Sequence, residues 1–288
     1  MLFSPSCFIT GKMQKEGTLT GIHGAPALPV IEVEHLVARY GENTILDDVS
    51  LQVQRGERFV IVGGSGCGKT TLLRHMIGLQ QPASGRVVVD AEDITHADED
   101  QLRRVQRRIG VLFQSGALFA SLTLGENIAL LLEEYTTLPA ATVELLVRIK
   151  LSMVKLAGFE AFGISELSGG MRKRAALARA MVLDPSILFF DEPSAGLDPV
   201  TAAELDELII QINRSLGTTM VVVTHDLSSI FTIAERVIML DGETKKIIAE
   251  GKPQELRDHS ADPRVHAFFN REPSATFRRR SDSDHRSA

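Results

Sequence analysis

Val62-Gly63-Gly64-Ser65-Gly66-Cys67-Gly68-Lys69-Thr70-Thr71 follows the apolar run 59–62 and leads into Leu72, Leu73, Met76 and Ile77 at helical spacing. The stretch reads as a strand, a glycine loop and a helix, the setting that G-x-x-x-x-G-K-T requires. Glycines let a backbone wrap a polyphosphate with its N–H groups turned inward, because no β-carbon obstructs the nest. The helix predicted to start near Gly68 adds free N–H groups and the positive end of its dipole. Lys69 is placed to reach the β- and γ-phosphates, and the Thr70 hydroxyl to ligate Mg²⁺. Residues 63–71 are therefore the candidate nucleotide cradle: Gly63, Gly64, Ser65, Gly66, Cys67, Gly68, Lys69, Thr70 and Thr71.

Working outward, 288 residues suffice for one large or two small domains with a sizeable core. A composition of 44% apolar and 24% charged residues excludes disordered and fibrous classes. The net charge of −6 argues against a dedicated nucleic-acid binder, so no nucleic acid is expected as a partner. Cys7 and Cys67 are the only cysteines, and they lack metal-ligand spacing. With Cys67 inside the phosphate loop, a reducing, cytosolic compartment is expected. With the loop placed against the phosphates, ATP should protect Cys67 from alkylation. No apolar run approaches the roughly 20 residues of a membrane helix, and no secretory leader pattern opens the chain.

Residues 1–29 are rich in Gly, Pro, Ser and Thr and predict a mobile tail. Order is expected from Val30, with β-type runs at 31–34, 36–40, 49–53 and 58–62 separated by turn signals. Tyr40 ends one of these runs ahead of the glycine loop, where an exposed ring can stack on adenine. A short strand follows at 85–90, a charged helix at 98–108, and an apolar strand at 109–113 that ends at Gln114. From 115 to 167 the pattern turns helical, an insert between strands. Asp198-Pro199 opens another helix with apolar spacing up to Gly217. The β-branched run 220–223 suits a strand buried on both faces. Strands alternating with helices predict an α/β fold with an open parallel sheet. Order is expected to weaken from Asp258, and 271–288 reads as a solvated tail.

Ile187-Leu188-Phe189-Phe190-Asp191-Glu192 is an apolar strand ending in two acids. Parallel strands deliver side chains at their carboxyl ends, where ligands bind. Asp191 is the candidate Mg²⁺ ligand and Glu192 the candidate base for an attacking water. Leu167-Ser168-Gly169-Gly170-Met171 is a second anion-binding helix start. One nucleotide has one γ-phosphate, already cradled by the first loop. A second cradle makes sense if Ser168, Gly169 and Gly170 complete the site of a second copy across a symmetric dimer.

These residues together resemble the ATP-binding cassette (ABC) ATPases, over about residues 30–252. The resemblance implies an α/β P-loop core with a mostly parallel sheet, an antiparallel β subdomain and an α-helical subdomain at about 115–180. A C-terminal extension at 253–288 would follow. ATP and Mg²⁺ are the implied cofactors. Gln114 becomes the glutamine that senses Mg²⁺ and the transporter, Asp198 the dimer-crossing acid, and His225, in Val223-Thr224-His225-Asp226, the switch histidine at the γ-phosphate. Lys69, Glu192 and His225 are thus the expected catalytic set, with Thr70, Gln114 and Asp191 at the metal. Met171 departs from the family, which has glutamine there, so a polar contact to the nucleotide is expected to be lost.

Leu112-Phe113-Gln114-Ser115-Gly116-Ala117-Leu118-Phe119, the run 174–180 and Asp262-Pro263-Arg264-Val265 are similar to the ATPase subunits of bacterial phospholipid transporters that maintain outer-membrane lipid asymmetry, the Mla or MCE-associated systems. This implies a place on the cytoplasmic face of the inner membrane. The implied partners are an integral-membrane permease, a periplasmic MCE-type lipid-binding subunit and a small cytoplasmic accessory subunit. Leu118, Phe119 and Leu122, just past Gln114, are expected to seat a short permease helix. An importer or exporter for another substrate is the alternative. A DNA-maintenance ATPase would need a longer insert between the motifs, and a translation factor a second cassette.

Overall fold

The computed structural model describes residues 28–272, so the expected tails lie almost wholly outside the described residues. Strands β1 (Ile31–Tyr40), β2 (Asn43–Val53), β4 (Ser84–Val89) and β5 (Glu92–Asp93) form an antiparallel sheet in the order β2-β1-β4-β5. The runs expected at 31–34 and 36–40 are one strand. His35 lies in left-handed backbone at φ 50°, and the pairing with β2 shifts register there. A bulge of this kind turns side chains over without ending a strand, and the broken alternation read as a gap.

A second sheet has the order β10-β9-β3-β8-β7-β6, from β3 (Arg58–Gly63), β6 (Ile109–Leu112), β7 (Ile187–Asp191), β8 (Thr219–Val223), β9 (Arg236–Leu240) and β10 (Ile247–Gly251). Its neighbours run parallel except β10, which pairs antiparallel with β9. Strand periodicity of two divides each central strand between two cores. Val60, Val62, Leu188, Phe190, Met220 and Val222 face the helices on one side. Phe59, Ile61, Ile187, Phe189, Val221 and Val223 face α1 (Lys69–Met76) and the antiparallel sheet on the other. Burial on both faces explains why 187–190 and 220–223 are continuously apolar.

A charged helix, α2 (Glu99–Gln106), precedes β6, and between β6 and β7 lie α3 (Leu124–Tyr135), α4 (Ala140–Met153) and α5 (Gly169–Ala180). Helix begins only at Leu124, after a loop over 113–123, because Thr123 and Glu126 form a reciprocal capping box that starts α3 there. Asp198 caps α6 (Pro199–Leu216), which stops at the left-handed Gly217. After β8 come α7 (Leu227–Ile233), and beyond β10 α8 (Pro253–His259) and α9 (Pro263–Phe269). Order therefore continues past Asp258, since α9 buries Val265 and Phe269 in the main core.

Candidate functional site

The glycine loop joins β3 to α1, and its path depends on two glycines. Gly63 has φ +146°, and a β-carbon there would lie 2.4 Å from the Leu240 carbonyl oxygen and 2.6 Å from Cys67 Sγ. Gly68 has φ +102° and would meet Leu46 Cδ2 at 2.7 Å. Gly68 is also the N-cap of α1. No side chain caps that helix, and its first turn holds no acid. By contrast Asp98, Thr123, Ser168, Asp198, Asp226 and Asp262 cap their helices with side chains. The α1 start thus keeps free N–H groups and a positive end for an anion. Lys69 Nζ curls over the loop and donates to the Gly63 and Gly64 carbonyls, both at 3.0 Å.

Cys67 corrects one expectation. Its thiol is buried, packed against Gly63, and burial pushes its pKa up. Only the Cys67 backbone can belong to the cradle. Alkylation will be slow with or without nucleotide, so it does not report on the loop. Tyr40 stays half-exposed at the end of β1, its hydroxyl donating to Gln80 Oε1 at 2.9 Å. Slight burial works to raise its phenol, but hydrogen bonds with Gln80, Arg74 and Thr71 bring it below the ordinary value.

Across the sheet, β7 ends with the acid pair. Thr70 Oγ1 donates to Asp191 Oδ1 at 3.0 Å. Burial raises the pKa of Asp191, and the Glu192 charge adds to this, while Thr70, Arg74 and Lys69 oppose it. Two hard oxygens on a desolvated acid fit Mg²⁺ held by one or two protein ligands and substrate phosphate. Among the described residues no cluster of three His, Cys, Asp or Glu could hold a metal ion. Glu192 sits at φ 50°, held by its N–H to the Val223 carbonyl at 2.8 Å. His225 Nδ1 lies 2.7 Å from Glu192 Oε1, the ring N–H donating to the carboxyl. Glu192 is 14% exposed and His225 68%, so the carboxylate is sheltered and the histidine open to solvent.

Gln114 is exposed, and its side chain has no hydrogen bond among the described residues. Its carbonyl accepts from Lys173 Nζ at 2.6 Å, and the same ammonium lies 3.5 Å from the Glu192 carbonyl. Burial lowers the Lys173 pKa, against the pull of Asp191 and Glu192. Sequence reasoning passed over Lys173, whose one signal was a cation on the buried, alanine-rich face of α5.

Ser168, Gly169 and Gly170 start α5, with Ser168 Oγ accepting from the Met171 N–H at 3.2 Å. A β-carbon on Gly170 would strike Thr201 Cγ2 at 2.4 Å. That contact brings this turn beside Asp198, whose carboxylate caps α6 by accepting from Val200 and Thr201 N–H at 3.1 Å each. These capping bonds, the Thr201 ones foremost, hold its pKa low. Met171 packs partly against the core rather than reaching outward. No hydrogen bond among the described residues joins this turn to the glycine loop of the same chain. A cavity of about 510 Å³ beside Glu192 and His225 is also lined by Phe268 and Arg271, which the expected loss of order after Asp258 had hidden.

A cradled polyphosphate site, an acid pair at a strand end and a second, separate anion turn define an ATP-binding cassette ATPase. The model of the ABC transporter family matches residues 46–195, and the chain belongs to that family. It is 40% identical over 249 residues, 86% of this chain and 93% of that protein, to the intermembrane phospholipid transport system ATP-binding protein MlaF of Haemophilus influenzae. It is 39% identical over 270 residues, 94% of this chain and 74% of that protein, to a probable ribonucleotide transport ATP-binding protein, mkl, of Mycobacterium tuberculosis. A dimeric ATP-binding cassette in a post-hydrolysis state with ADP and phosphate superimposes at TM-score 0.71, with 31% identity over 77% of this chain and 98% of that one. No helix among the described residues is long and apolar enough to cross a membrane.

Proposed function

We propose that this chain powers phospholipid movement between the inner and outer membranes of a bacterium, as the ATP-hydrolysing subunit of an Mla or MCE-type ABC system. The observation that carries this reading is the similarity to the Haemophilus phospholipid-transport cassette along 93% of its length. Two copies enclose two ATP molecules, each between residues 63–71 of one chain and the 168–170 turn of the other. That the 168–170 turn starts a helix of its own and packs against Thr201 supports this arrangement.

In the closed dimer the 63–71 backbone and the α1 N-terminus bind the phosphates, Tyr40 stacks on the adenine, and Lys69 leaves its loop carbonyls for the β- and γ-phosphates. Thr70, Asp191 and Gln114 are the residues that would hold Mg²⁺. That ion would neutralise developing charge on the phosphate oxygens. Glu192 orients the attacking water and takes its proton, while His225 bridges Glu192 and the γ-phosphate. Asp198 lies at the dimer seam.

The chain works at the cytoplasmic face of the inner membrane, bound to a permease. A cavity of about 340 Å³ between the helices and β6 offers Phe113, Gly116, Ala117, Leu131, Tyr135 and Arg179 to a permease helix. Beside it Phe119 is half-exposed under the Arg179 guanidinium, 5.0 Å from the ring centre. An MCE-type lipid-binding subunit completes the path in the periplasm, and exposed Leu145 and Ile149 on α4 suit a small accessory subunit. No nucleic acid takes part.

The test is to purify the chain with its co-expressed permease, identify bound lipid by mass spectrometry, and measure ATP-dependent phospholipid transfer between vesicles. Bound phospholipid and transfer that needs ATP support the proposal. The mycobacterial relative favours a second reading, a transporter for another solute, and a lipid-free complex that moves no phospholipid would establish it.

A further inference from the structure

Helix α6 buries Ala202, Asp206, Ile209 and Asn213 along one stripe at i, i+4, i+7 and i+11. Asn213 is fully used: its amide donates to the Gly56 and Thr218 carbonyls at 2.8 Å and its oxygen accepts from Arg58. Asp206 is not. It is 3% exposed, and its Oδ1 has no hydrogen-bond partner. Helix α7 packs against α6 and brings up Ser229, 1% exposed, whose Oγ is also unpartnered. The hydroxyl faces the carboxyl closely enough to lower its pKa, yet the two do not meet with hydrogen-bond geometry. Buried polar groups without partners are few in folded proteins and cost free energy, more so when charged.

Both helices begin at the reaction centre. Asp198 caps α6, and Asp226, directly after His225, caps α7. The chemistry already described makes no use of Asp206. We propose that Asp206 is a positioning residue for the switch histidine: its carboxyl and the Ser229 hydroxyl form a proton-dependent latch between α6 and α7 that sets where His225 stands. This rests on the reading of His225 as the γ-phosphate switch.

Protonated, the carboxyl brings no charge into the dry interface, and α6 and α7 close over it. Ionised, it offers about four acceptor sites to a single hydroxyl, and the interface loosens. Burial pushes the Asp206 pKa up to about 6, with Ser229 lowering it and the Asp226 charge raising it. Glu204 turns away toward Arg174 of α5 at 4.0 Å, and Arg257 of α8 lies over Phe231 on α7, 5.2 Å from the ring centre. The latch is therefore mostly open at neutral pH and closes on mild acidification.

The experiment follows backbone amide resonances of 225–233 in the full, nucleotide-free chain from pH 7.5 to 4.5. The wild type should show a shared transition near pH 6 that Asp206→Asn lacks. Ser229→Ala, which deletes the group that lowers the pKa, should shift the midpoint to higher pH. In ATPase assays the kcat of the wild type should change across that interval more than that of Asp206→Asn, with equal KM for ATP. Amides of α7 that do not move, or a midpoint unaltered by Ser229→Ala, overturn the latch even if Asp206→Asn fails to fold. The same transition persisting in Asp206→Asn overturns it too. His225→Ala separates the two readings. It should keep the α7 transition and lose turnover, whereas wild-type turnover in that variant would remove the switch role and, with it, the proposal.

Discussion

Glu192→Gln removes the proton acceptor and almost nothing else. The amide keeps the side chain's volume and one oxygen able to accept from His225 Nδ1, now 2.7 Å from Glu192 Oε1. A positioned general base contributes about 10²–10⁴-fold, or roughly 3–5 kcal/mol on the barrier. Turnover should fall by that factor. Binding should not fall with it, and the reason lies next door. Burial first, and the Glu192 charge second, hold the Asp191 pKa up. Loss of the neighbouring charge makes Asp191 a readier anion and a better Mg²⁺ ligand. ATP affinity with Mg²⁺ should therefore be equal or higher, and the ATP-bound dimer should accumulate. Single-turnover phosphate release with enzyme in excess measures the first effect, fluorescent-ATP titration the second, and light scattering the dimer. Slowing of less than about tenfold, or a loss of affinity that accounts for the loss of rate, would refute the assignment of Glu192.

Gly170→Ala places a methyl group 2.4 Å from Thr201 Cγ2, so the α5 turn must shift from α6. Steady-state turnover should drop about tenfold or more, while ATP binding to the monomer is unchanged by fluorescence titration. Phe119→Asp should leave the ATPase rate of the isolated chain within about twofold but abolish ATP-dependent lipid transfer in the reconstituted complex, because the ring is half-exposed and packed under Arg179. Burial pushes the Asp206 pKa up to about 6 from the ordinary 3.8, so the stability tied to its protonated form is full below pH 4 and is lost as pH rises through 6. Unfolding free energies of wild type and Asp206→Asn from urea titrations should diverge by roughly 3 kcal/mol between pH 4 and 7, the variant gaining toward neutral pH.

The glycine loop was legible because its physics is local: one strand, one run of small residues and one helix start occupy 59–77 without help from elsewhere. The acid pair was legible for a similar reason, since an apolar run must end where its charges can reach water. The 168–170 turn was read as a second helix start, which it is, and it packs against Thr201. What escaped was settled by distant partners. The bulge at His35 hid the continuity of β1. β9 and β10 depend on pairing with β3 and with each other rather than on a pattern of their own. Cys67 turns inward because Gly63 leaves room for its sulfur. Lys173, Phe268 and Arg271 meet the site only after chain segments far apart in sequence have packed together.

One ammonium group gives the molecule a mechanical property. Lys173 ties the main chain at Gln114 to the main chain at Glu192 from within α5. A buried hydrogen bond to a charged donor is worth about 1.5–3 kcal/mol, so this tie resists stretching under modest load. A load placed on the helical layer would therefore reach the Glu192 main chain through one lysine.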